Sequence, residues 1–180
     1  MESRAKLAGH AAHPILIVFP LGLLATATIF DIVYLLNDNS TFVLVSYWMI
    51  VSGLVGGLLA AVPGWIDWFA IPAGTRAKRI GLVHGLGNVA VLLLFGLSWL
   101  FRRDEAGYVP SILALVASFI AFALAGFTGW LGGELVDRLG VGVDNGAHLN
   151  SPNSLSGRPA AGIDGAGGHI TDVSGRERLV

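Results

Sequence analysis

Few residues in this sequence could do chemistry. His13 stands directly before Pro14, and His84 lies inside an apolar run with Asn88 four residues further on. Two imidazoles without any thiolate offer three chemistries. They could be the axial ligands of one heme b iron, they could hold a divalent metal completed by a carboxylate, or they could carry protons, since imidazole titrates near neutrality. Asp67 and Glu134 are the carboxylates placed to complete such a polar layer. Asp31 is the lone acid within an apolar run. His10, His148 and His169 read as solvated residues outside those runs. There is no C-x-x-C-H, H-E-x-x-H, G-x-S-x-G, Walker loop or Rossmann glycine pattern, so no histidine falls in a motif that is specific alone. The chain does not read as an independent enzyme.

Composition narrows what could position these groups. Of 180 residues, 54% are hydrophobic and only 13% are charged, where soluble domains carry about 25% charged residues. That leaves too little polar surface for a water-soluble fold. With no cysteine, disulfide scaffolds, thiolate metal sites and thiol redox centres are excluded. The formal net charge of −1 gives no reason to expect nucleic acid as a partner. The partner that remains is a lipid bilayer.

Four apolar segments follow, at about 14–36, 42–68, 80–101 and 109–136. Each exceeds the roughly 20 helical residues that span a bilayer core. The expected fold is an all-α integral membrane protein: an up-down bundle of four transmembrane helices over 1–143, followed by a disordered, flexible cytoplasmic tail over 144–180. Arg4, Lys6, Arg76, Lys78, Arg79 and Arg138 flank one end of these helices, and only Arg102 and Arg103 flank the other. Basic residues favour the cytoplasmic side, so six against two places both termini in the cytoplasm. Ala117, Ala121, Ala125, Gly129 and Gly133 recur at every fourth position. Such small-residue seams let helices approach closely, within the bundle or in a homo-oligomer.

The bundle in turn positions the chemistry. The residue before proline avoids helical backbone, so Pro14 is expected to start the first helix with His13 at its mouth. Asp31, eighteen residues on, falls on the same azimuth after five turns and should face the interior. His84 lies about 6 Å inside Ile80 at 1.5 Å per residue. In an up-down bundle His13, Asp67, His84, Asn88 and Glu134 all reach the same membrane face. They form a candidate site, with His13 and His84 as cofactor ligands, Asp67, Asn88 and Glu134 in support, and Asp31 as a separate intramembrane acid. The functional expectation is a heme b- or metal-binding redox subunit with a redox or membrane-protein partner. The alternatives are an accessory protein without cofactor and a small proton or solute transport module.

Four ordered blocks carry a family resemblance: HAAHPILIVFPLGLL from His10, AVPGWIDW from Ala61, HGLGN from His84 and GWLGGELVDRLGVGVD from Gly129. They resemble the bacterial four-helix membrane family catalogued as domain of unknown function 2231. The resemblance implies a multi-pass membrane protein and supports His13, Pro14, Asp67, His84, Asn88 and Glu134. Relatives joined to Rieske-type domains imply electron transfer. Many relatives have further histidines where this chain has Val18 and Leu139.

Overall fold

The computed structural model describes residues 1–162, 169–171 and 177–179. Four helical spans dominate it: Ala12–Asn37, Ser40–Ala70, Arg76–Arg103 and Ile112–Arg138, of 26, 31, 28 and 27 residues. Each is long and apolar enough to cross a membrane. The first span is α1 (Ala12–Leu16) continued by α2 (Val18–Asn37). The break falls there because Pro20 has no N–H to offer the Leu16 carbonyl, while Leu21 N still donates to Ile17 O at 3.1 Å. The other spans are α3 (Ser40–Ala70), α4 (Arg76–Arg103) and α5 (Ile112–Gly133), the last extended by one wide turn, Glu134–Arg138.

Local chemistry sets the ends. Asp38 takes the left-handed conformation that stops α2, and Asn39 then accepts from Thr41 N to start α3. Thr75 and Ser111 cap α4 and α5 in the same way, accepting from Lys78 N and Ala114 N. These are the side-chain oxygens expected to satisfy unpaired N–H groups in a first turn. Two expected boundaries move as a result. Thr75 starts the third span at Arg76 rather than at 80, and Ser111 starts the fourth at Ile112 rather than at 109. Helix α1 begins at Ala12, so His13 sits within its first turn rather than before it. Pro14 is accommodated because first-turn N–H groups have no intrahelical partner to lose.

Helices α2 and α3 pair as one hairpin and α4 and α5 as another, and α3 against α4 and α2 against α5 close the bundle. Leu24, Ala27, Ile50, Val91, Phe95 and Ala121 fill its centre. The outward faces are apolar: Leu36, Phe69 and Ile112 are 82%, 72% and 79% exposed, as a surface against lipid chains requires. The small-residue stripe of α5 departs from the expected seam. Ala117 and Ala121 are buried, but Gly129 and Gly133 are exposed, and the buried face continues through Thr128, Leu131 and Leu135. A strict four-residue repeat drifts around a helix of 3.6 residues per turn, so the stripe leaves the interface.

The first two spans join at 38–39 and the last two at 104–111; this is the far end of the bundle. At the near end residues 1–11 fold back, with β1 (Lys6–Leu7) pairing antiparallel to β2 (His10–Ala11). The expected boundary at 143/144 is crossed by contacts. Asp144 pairs with Lys6, Asn145 N donates to Glu2, and Ser154 Oγ donates to the Ala8 carbonyl. A second two-stranded pair, β3 (His169–Thr171) with β4 (Glu177–Leu179), lies further on. Residues 163–168, 172–176 and 180 of the expected flexible tail lie outside the described residues.

Candidate functional site

The near end holds the two histidines. His13 Nδ1 lies 2.8 Å from the carbonyl of Ala60, and His84 Nδ1 lies 2.8 Å from the carbonyl of Thr128. A carbonyl only accepts, so both rings carry a proton on Nδ1, and His84 Nε2, which faces the Asn88 amide N–H, is the acceptor of that pair. Each imidazole from the first helix of a hairpin is therefore pinned to the backbone of the second. Glycine makes the approach possible. A Cβ on Gly64 would come 2.9 Å from His13 Nδ1, and one on Gly132 would come 3.2 Å from His84 Cε1.

The two rings face each other across the bundle. Their centroids are 6.3 Å apart and their planes are 86° from parallel. Asn88 completes the setting on one side. Its Nδ2 donates to His84 Nε2 at 3.1 Å and to the His84 carbonyl at 3.0 Å, and its Oδ1 accepts from Thr128 Oγ1 at 3.0 Å. The His84 carbonyl fixes the amide orientation, since it can only accept and so must face Nδ2.

The expected carboxylates are engaged elsewhere. Asp67 accepts from Ser3 Oγ at 2.7 Å, Arg4 N at 2.6 Å and Ala5 N at 3.2 Å, and so holds the N-terminal segment over the end of α3. Glu134 pairs with Arg76 at 2.6 Å, joining the start of α4 to the end of α5. His10 is exposed and bonds the nearby Ala8 carbonyl. Among the described residues no group of three or more His, Asp or Glu side chains could hold a metal ion. The predicted polar layer thus divides into a histidine pair with Asn88 and two unconnected carboxylate contacts.

The far end holds a second polar cluster. Asp31 is fully buried, as its azimuth implied. Its partner is Arg102, read from sequence as a loop cation, which is also fully buried. Arg102 Nη2 and Nη1 reach the two carboxylate oxygens at 2.6 and 2.8 Å. Ser46 donates to Asp31 at 2.6 Å, and Arg102 also donates to Ser46, Ser98 and Ser118 at 3.2 Å each. The fork thus has a partner for each nitrogen, the condition under which a buried ion pair is tolerated. Two signals pointed to Arg102. An acid inside an apolar bundle demands a cation, and Val91, Phe95, Ser98 and Arg102 follow the helical repeat of one buried face. Between the two polar clusters the axis is filled by Leu24, Ile50, Val91 and Phe95.

Comparison with known families agrees with this architecture. The family model described as Predicted membrane protein (DUF2231) matches residues 9–145, and the chain belongs to that family. No curated protein and no solved structure matches the chain.

Proposed function

We propose that this member of the family is a redox subunit of the bacterial plasma membrane, with both termini cytoplasmic, in which His13 and His84 would hold one heme b. The observation that carries the reading is the histidine geometry. Two imidazoles that held one metal at about 2.0–2.1 Å each would have ring centres no more than about 6 Å apart, and the edge-on rings here are 6.3 Å apart. No hydrogen bond joins the two rings, so they are not a proton-sharing pair. Both Nδ1–H groups are held by carbonyls, the arrangement that orients a ligating imidazole and leaves Nε2 for the metal. Two nitrogens alone do not make a divalent metal site. A transport path is disfavoured by the apolar layer between the clusters. A bound heme would supply one-electron chemistry, and the protein's part would be to fix both rings. Asn88 would give up its bond to His84 Nε2 and keep those to the His84 carbonyl and Thr128.

A second reading is favoured by that Asn88 bond, which satisfies His84 at both nitrogens. In it the histidines are ties between the paired helices of an accessory protein without cofactor. One experiment separates the two. The full-length protein, purified in detergent from heme-sufficient cells, is expected to show a Soret band that His84→Ala abolishes while helix content is unchanged. A parent protein without a Soret band leaves the second reading.

A further inference from the structure

We infer that the bundle consists of two copies of one helical hairpin, and that Asp31 and Arg102 occupy the same seat in each, with opposite charges that make the first hairpin choose the second as its partner. Four of the five buried positions of α2 recur on α4, Thr28 being the exception. Pro20, Leu24, Ala27 and Asp31 correspond to Val91, Phe95, Ser98 and Arg102, each 71 positions on, and all eight are buried. His13 and His84 have the same spacing. The second helices correspond as well. Ile50, Gly53 and Ala60 match Ser118, Ala121 and Thr128, each 68 positions on, and all six are buried. The difference of three falls at the far-end connections.

Contacts repeat along with positions. His13 bonds the Ala60 carbonyl and lies against Gly64; His84 bonds the Thr128 carbonyl and lies against Gly132. These are corresponding residues at every point. The two hairpins therefore pack face to face about an axis that passes between the histidines at the near end and between Asp31 and Arg102 at the far end.

This arrangement carries a hazard. Two faces of one ancestry could each pair with a copy of itself from another chain. A first hairpin against a first hairpin would bring Asp31 against Asp31, and a second against a second would bring Arg102 against Arg102. Buried like charges in an apolar bundle are costly, whereas the mixed pair is fully bonded. Opposite charges on one shared seat thus both attract the right hairpin and reject the wrong one. Ser98 belongs to the seat of the cation. It lies four residues before Arg102 and accepts from its Nε at 3.2 Å, whereas Ala27 stands four residues before Asp31.

Full-length variants test the shared seat by monodisperse yield in detergent. D31R and R102D each place like charges on the axis and should lower the yield at least tenfold. The mirrored variant A27S/D31R/S98A/R102D moves the charge together with Ser98, leaving Ser46 and Ser118 on the axis between the two seats, and should return to within twofold of the parent. The plain swap D31R/R102D should fall between. A mirrored variant as poor as the single variants would overturn the inference. A plain swap equal to the mirrored variant would overturn it too, because an ion pair without repeat-related surroundings would then account for the rescue.

Discussion

At the scale of single residues, the glycines beside the imidazoles differ from the glycines of the outer stripe. A Cβ on Gly132 would come 3.2 Å from His84 Cε1, whereas one on Gly129 would meet nothing within 4 Å. Gly132→Ala should therefore push His84 off its carbonyl and cost about 1–3 kcal/mol, the usual range for overpacking. Gly129→Leu should leave the bundle intact, and the gain in helix propensity over glycine is about 0.5–1 kcal/mol. Thermal melts of both variants in one detergent check the contrast. A Gly129→Leu protein that melts well below the parent would put that residue back in an interface.

At the scale of elements, the N-terminal segment is held to the bundle by two unlike contacts. Asp67 gathers three donors from residues 3–5 at a largely buried site. Asp67→Ala leaves the Arg4 and Ala5 N–H groups without their acceptor, and the segment should become open to protease near β1 while the spans keep their helix content. Limited proteolysis in detergent reads this directly. A cleavage rate like the parent's would mean that Asp67 is not the latch. The other contact is exposed and electrostatic. Lys6 bonds Asp144 and Glu2, and Glu2 also accepts from Asn145 N. The Lys6 side-chain bond, then that to Asn145 N, hold the Glu2 carboxyl below its usual 4.5. A depressed carboxyl contributes above its usual value and stops contributing as pH falls through its folded value. Protection of the Asn145 amide from hydrogen exchange should therefore persist at neutral pH and be lost only as pH falls below 4.5 and through the lowered value of the folded Glu2 carboxyl. High salt should weaken the same contact, since the charges are exposed.

At the scale of the whole molecule, four spans would put residues 11 and 139 on one side, and the six-to-two division of basic residues predicts that this side is cytoplasmic. Reporters fused at Asn39 and Ala106 should both read as outside the cytoplasm, and one fused after residue 145 should read as inside. A cytoplasmic signal at Asn39 or Ala106 would reverse the orientation. What the sequence by itself determined is the set of spans; apolar length alone starts the third and fourth at 80 and 109, away from their caps Thr75 and Ser111. Apolar length is a one-dimensional property, and Asn39, Thr75 and Ser111 act on N–H groups only two or three residues away. It also indicated that Asp31 turns inward, because one strong cost forbids the other face. Which residues share a site was decided by tertiary structure, because that depends on azimuth and on the partner helix. Arg102 lies beside Arg103 in sequence, yet one is fully buried and the other exposed. His13 and His84 lie across the bundle from each other only because two distant carbonyls, of Ala60 and Thr128, hold their rings. Asp67 and Glu134 share their depth but are taken by nearer donors, the N-terminal segment and Arg76. Depth in the membrane follows from counting residues, whereas the choice among several donors at one depth is made by distances that only the packed helices set.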